Sequence, residues 1–122
     1  MNFSACPEFL KELKKFSKKW RTLDEDLEDA KVQITSLYID DDKKSLVEYR
    51  DAFFDNKRAT IITKNDGGEV VKMRLDCAAL GNKDIIRLIF IYIKYDDEVK
   101  FIELYAKNEK SREDLARIRK YF

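Results

Sequence analysis

Ile85-Ile86-Arg87-Leu88-Ile89-Phe90-Ile91-Tyr92-Ile93 is apolar or aromatic throughout, apart from Arg87. A run of this kind reads as a central strand covered on both faces. The arginine inside it needs a partner or a task, because an unpaired buried charge is costly. Working outward, residues 69–76 form the strand before it. There Val71, Met73 and Leu75 point one way and Lys72 and Arg74 the other. Residues 99–106 form the strand after it, carrying Tyr105 and followed by Lys107. An antiparallel sheet can gather Lys72, Arg74, Arg87, Tyr105 and Lys107 at one end.

Further out, residues 59–63 are β-rich, and Lys64-Asn65-Asp66-Gly67-Gly68 is a strong turn signal. Residues 78–84 read as a loop containing Gly81. Asp40-Asp41-Asp42-Lys43-Lys44 reads as a solvated loop, because adjacent aspartates cannot converge as spaced calcium ligands do. Residues 46–56 fit either an irregular connection or a short helix.

Toward the N-terminus, Pro7 suits a first helical turn. Phe9, Leu13, Phe16 and Trp20 then recur at helical spacing with lysines between them. Thr22 and Glu25 have the spacing of a capping box for a second helix, whose stripe is Leu23, Leu27, Ala30, Ile34 and Leu37. The short link predicts an antiparallel helical hairpin. At the other end, Ser111 followed by Asp114 predicts a capped closing helix with Leu115, Ile118 and Phe122 on its apolar edge. The expected fold is α+β, a single domain over residues 1–122. An N-terminal helical hairpin packs on one face of a three- to four-stranded antiparallel sheet, and a C-terminal helix closes the chain.

Composition narrows the chemistry. The net charge is +1 although 40% of residues are charged, so bulk electrostatics do not mark a nucleic-acid binder. The charge is segregated: Lys11, Lys14, Lys15, Lys18 and Lys19 make the first helix basic, and Asp24, Glu25, Asp26, Glu28 and Asp29 open the second. The chain has no histidine, which excludes His-based zinc sites, Ser-His-Asp triads and Cys-His dyads. Cys6 and Cys77 lack metal-ligand spacing and read as two reduced thiols. There is no signal-peptide pattern and no apolar run near the roughly 20 residues that span a bilayer. A soluble cytoplasmic protein is the expectation.

In this order, these segments resemble the RelE/ParE superfamily of bacterial type II toxins, particularly its RelE and HigB-like branch. Phe16-Ser17-Lys18-Lys19-Trp20-Arg21-Thr22-Leu23-Asp24-Glu25-Asp26-Leu27 is similar to the family's helical hairpin. Ile86-Arg87-Leu88-Ile89-Phe90 is similar to its central-strand motif, and Phe101-Ile102-Glu103-Leu104-Tyr105-Ala106-Lys107-Asn108-Glu109-Lys110 to its last strand. The likeness is least clear over residues 38–64.

The resemblance implies an endoribonuclease that cleaves mRNA in the ribosomal A site without metal or cofactor and is silenced by a cognate antitoxin protein. The RNA's own 2′-hydroxyl would attack the adjacent phosphate, so cations must stabilise the charge growing there and a group must move a proton. Carried over by position, Arg87, Lys72, Arg74, Tyr105 and Lys107 are the candidate catalytic residues. Lys15, Lys18, Lys19 and Lys110 are candidate contacts to the RNA backbone.

Each has a plainer reading. Arg87 could form a structural ion pair, with Glu103 the candidate partner. Tyr105 could be an amphipathic residue at a sheet edge, and the helix lysines a solvated face. The loop Asp76-Cys77-Ala78-Ala79-Leu80-Gly81-Asn82-Lys83-Asp84 departs from the family's basic, glycine-rich loop. It favours the alternative of a non-catalytic interaction or regulatory protein on the same fold. With helices on one face only, the other face is expected to leave Ile89, Ile91 and Phe101 in part exposed to a protein partner.

Overall fold

The computed structural model describes residues 1–38, 53–54 and 58–122. The expected loop at residues 40–44 lies outside them, as do most of residues 46–56. In chain order the elements are β1 (Asn2–Ala5), α1 (Pro7–Lys19), α2 (Leu23–Tyr38), β2 (Ala59–Asn65), β3 (Gly68–Arg74), β4 (Ile86–Ile93), β5 (Glu98–Ala106) and α3 (Leu115–Tyr121). A 3-10 turn at Ala78–Leu80 separates β3 from β4.

The architecture is α+β, with a sheet that is larger and more mixed than expected. Among the described residues it has five strands in the order β1-β5-β4-β3-β2. The four later strands are antiparallel neighbours, while β1 adds to β5 in parallel, from Asn2 opposite Glu98 to Ala5 opposite Phe101. Four residues with a single large apolar side chain, Phe3, carry too little pattern to announce β1. Parallel pairing needs a long connection, and here it runs through α1, α2 and the strands β2, β3 and β4.

Pro7 opens α1 at its first turn, and Trp20 ends it as C-cap. The stripe of α2 is buried at Leu23, Leu27, Ala30, Ile34 and Leu37. Those side chains, with Phe9, Phe16 and Trp20, pack on Val71, Met73, Leu88 and Phe90 of the sheet. Full burial of residues such as Phe9, Leu23, Ile34 and Leu37 contributes about 1.5–3 kcal/mol each. The Thr22 hydroxyl works differently from a capping box. It donates to Asp26 at 2.8 Å and accepts the Ala79 N–H at 2.9 Å, tying the start of α2 to the 3-10 turn.

The second face of the sheet is covered too, which corrects the expectation of one helical layer. Ile118 of α3 packs with Val70, Ile89, Ile91, Ile102 and Tyr105. Val70 and Val71 are consecutive on β3, so the two clusters occupy opposite faces. Ile89, Ile91 and Phe101, expected to be partly exposed, are all buried. The N-cap of α3 is Asp114, whose carboxylate accepts the Arg117 N–H, rather than Ser111. Cys6 and Cys77 are unpaired and buried. Among the described residues no helix is long and apolar enough to cross a membrane.

One irregularity positions the site. Ile89 pairs with Glu103 and Phe90 with Phe101, so Ile102 is an extra residue in β5. The bulge flips the parity of the strand. Phe101 therefore faces the helical hairpin, stacked on Phe9 at 5.2 Å, while Glu103 and Tyr105 lie on the α3 face. Simple alternation puts Phe101 and Tyr105 on one face, and the bulge is why they are not.

Candidate active site

Alternation on β3 sends Lys72 and Arg74 to the face opposite the hairpin, and the register does the rest. Arg74 is directly opposite Arg87, and Arg87 directly opposite Tyr105. With strands about 4.8 Å apart, this row of three spans roughly 10 Å. Lys72 lies two residues along, between Thr60 of β2 and Ile89 of β4. Lys107 follows the end of β5. All five candidate catalytic residues line one cavity of about 440 Å³, together with Arg58, Thr60, Met73 and Ser111.

Two arginines opposite each other on adjacent strands repel unless an anion lies between them. Here it is Asp84, in the loop before β4. One of its carboxylate oxygens is 3.0 Å from Arg74 Nη1 and the other 3.0 Å from Arg87 Nη1. Arg87 also donates to the carbonyl oxygens of Asp84 and Ile86, at 3.3 and 3.2 Å, and is only 8% exposed. Its partner is thus Asp84 and not Glu103. Lys72 Nζ is paired with Glu113 at 3.1 Å, and Arg58 with Asp76 at 2.7 Å. Lys107 is exposed and makes no ion pair among the described residues.

Glu103 is fully buried. It accepts from Lys110 Nζ and, at 2.8 Å, from the Asp114 N–H, so it anchors the loop leading into α3. That loop brings Lys110 to 5.7 Å from the Tyr105 ring. Tyr105 is 4% exposed. Burial, reinforced by the negative charges of Glu113 and Glu103, pushes its phenol up to about 12. It is therefore a proton donor at neutral pH, never a base. For Glu113 burial works upward, but the hydrogen bond from its own backbone N–H and those from Lys72 prevail. The carboxyl is held below its ordinary range and stays ionised.

The remaining candidates are placed apart. Lys15, Lys18 and Lys19 project from α1, across the sheet from the cavity. Lys15 lies over the Phe16 ring and Lys19 over the Trp20 ring, each at 5.2 Å. Lys19 also pairs with Glu109 at 3.4 Å, which puts it near the rim of the α3 loop. Of these RNA-contact candidates only Lys110 approaches the candidate catalytic residues, through Tyr105.

Sequence reasoning passed over Arg58, Thr60, Asp84, Ser111 and Glu113. Asp84 had a local signal, three residues before Arg87 at a strand entrance. Glu113 had none, since its contact with Lys72 spans 41 positions. Among the described residues no group of three or more His, Cys, Asp or Glu side chains is arranged to hold a metal ion. Compared with known proteins, the chain matches no family model, no curated protein and no solved structure.

Proposed function

We propose that this chain is the toxin of a type II toxin–antitoxin pair, a metal-independent, ribosome-dependent mRNA endoribonuclease of the cytoplasm. The observation that carries the reading is the shared cavity. Five residues assigned from sequence likeness, scattered over three strands and a loop, line the same 440 Å³ space. Chance placement of five polar residues on a two-faced sheet would divide them.

The chemistry follows from their protonation states. The 2′-oxygen of the RNA forms a bond to the adjacent phosphorus as the bond from phosphorus to the 5′-oxygen breaks. The products are a 2′,3′-cyclic phosphate and a 5′-hydroxyl. Arg87 and Arg74 hold the non-bridging oxygens, a role that suits the guanidinium fork, and Lys72 and Lys107 add charge. Tyr105 gives its proton to the departing 5′-oxygen, and ionised Glu113 takes the proton of the 2′-hydroxyl.

Asp84 and Glu113 must yield Arg74, Arg87 and Lys72 to the substrate. The pairing of these cations favours a second reading, a non-catalytic interaction protein on the same fold. Under either reading a cognate antitoxin would bind the cavity face through charge, offering acidic side chains to Lys107 and Arg112, because α3 has already closed the apolar surface there.

Expression without an antitoxin, followed by primer extension on a reporter mRNA, tests the proposal. Growth arrest with reporter cleavage that falls by roughly 10²-fold or more in Arg87→Ala is the expected result. Unimpaired growth with abundant soluble wild-type chain leaves the interaction protein.

A further inference from the structure

A second cavity, of about 540 Å³, adjoins the first. Arg58, Met73 and Arg74 line both, so the two are compartments of one groove around the end of β3. Their chemistry differs. The first is lined by cations and Tyr105. The second has Arg58, Arg74 and Lys83 on one side with Asp76 and Asp84, an apolar floor of Ala30, Met73, Leu75 and Cys77, and a polar row on α2, Asp26, Asp29 and Gln33.

Asp26 is committed, accepting from the Ala78 N–H at 3.3 Å and from Thr22 at 2.8 Å. Asp29 and Gln33 make no hydrogen bond or ion pair to other described residues, so their polar ends are available to a ligand. The carboxylates of Asp26 and Asp29 disfavour a phosphate at the α2 wall. An uncharged group rich in N–H donors can settle there, and the apolar floor suits a flat, poorly hydrated body. The volume lies within the range of about 300–1,000 Å³ usual for small-ligand clefts.

From this juxtaposition we infer that the second compartment receives a nucleobase of the strand whose phosphate lies on Arg74 and Arg87, and that the base it selects is guanine. The guanine Watson–Crick edge presents two adjacent N–H donors, which one carboxylate can accept together; uracil presents a single N–H flanked by carbonyls. Asp29 is the acceptor and Gln33 supplies a further contact. The guanidinium of Arg58, which lines both compartments, is the stacking plane, as arginine is in single-stranded RNA recognition. The inference deepens the ribonuclease reading by naming its substrate preference, and it rests on that reading for the phosphate's position.

The test is direct binding, separated from cleavage. Fluorescein-labelled 2′-O-methyl pentamers UUGUU and UUUUU lack the attacking hydroxyl and cannot be cut. Fluorescence anisotropy should show UUGUU binding at least about fivefold tighter, the lower end of what a bidentate base contact gives. Asp29→Asn and, separately, Gln33→Ala should bring the two affinities together. Asp29 is exposed and Gln33 half-buried, and a thermal melt confirms that each variant is folded. Equal affinities in the wild type, no binding of either pentamer, or a guanine preference that survives both substitutions would each overturn the inference. Arg87-dependent mRNA cleavage without a guanine preference would remove the base compartment and keep the ribonuclease. A guanine preference without cleavage would do the reverse.

Discussion

Replacing Asp84 by Asn isolates the one group that stands between the arginine pair and an incoming anion. The Asp84 side chain is 42% exposed and bridges that of Arg74, 40% exposed, to that of Arg87, which is buried. The substitution keeps the size of the side chain and the carbonyl bond from Arg87 to the Asp84 backbone, and removes only the charge. A half-exposed ion pair stabilises by a few tenths to about 1 kcal/mol after solvent screening. With two such pairs lost and the register-opposed arginines left unbridged, the expected destabilisation is about 1–2 kcal/mol, a drop in Tm of a few degrees.

Anion affinity should move the other way. A carboxylate about 6 Å from a bound phosphate repels it by roughly 0.7 kcal/mol in water and up to about 3 kcal/mol at the effective dielectric of a protein surface. Asp84 lies between these limits, so Asp84→Asn should bind inorganic phosphate roughly 5- to 30-fold more tightly. Titration calorimetry at fixed ionic strength reads the affinity. Thermal shift in the same buffers should show the variant recovering its lost stability as phosphate rises. A phosphate affinity that is unchanged within about twofold, or weaker, would mean that Asp84 organises the arginines for some other purpose. The anion-seat reasoning would then be wrong.

Three further outcomes are expected. Tyr105→Phe should leave the melting temperature nearly unchanged, because the hydroxyl has no hydrogen-bond partner among the described residues, while reporter mRNA cleavage falls roughly 10²-fold or more if the phenol is the proton donor. Gly68→Ala should lower stability by about 1–3 kcal/mol in a urea titration, because a Cβ there would lie 1.9 Å from the Tyr92 carbonyl oxygen on β4. In acid, α3 should loosen before the sheet: Glu8, hydrogen-bonded by Tyr121 and paired with Lys120, has its carboxyl lowered to about 2 from 4.5. A depressed carboxyl stabilises the fold fully above its unfolded value and loses that contribution as pH falls from about 4.5 toward 2, so amide exchange across α3 should accelerate in that window.

The layers and strands after residue 58 were legible because burial imposes period. Alternation on β3, the apolar run of β4 and the stripe of α2 each have one packing solution, and the structure adopts it. What pattern could not show was decided by contacts distant in sequence. β1 exists because the edge of β5 from Glu98 to Phe101 offers it hydrogen bonds, and no feature of Asn2-Phe3-Ser4-Ala5 announces that edge. The side on which α3 packs was obscured by its brevity. A seven-residue helix with one buried side chain, Ile118, has too short a stripe to name its partner face. Yet Ile85 to Ile93, apolar on both faces, already required two covers. A single layer of helices contradicts that run, and the run was the stronger signal.

The site was legible in its cations and illegible in its carboxylates, and the difference is physical. Lys72, Arg74 and Arg87 interrupt strands whose alternation is otherwise apolar, so each stands out against a background. Asp84 and Glu113 sit in polar loops among many like residues, and only the folded register brings them to their partners. Net charge hides the same fact. Among the described residues five cations line the cavity, and the carboxylates of Asp76, Asp84 and Glu113 answer four of them, leaving Lys107 without an ion pair there. A chain near neutrality can therefore hold a local excess of positive charge at the end of its sheet. Because that excess is small and the arginines are already bridged, simple counterions gain little there. A ligand must bring several charges in fixed geometry, or further contacts beyond the phosphate, before it displaces Asp84 and Glu113. Under the proposed function a polynucleotide supplies both, and the bulge at Ile102 turns Tyr105 onto the face that lines the cavity.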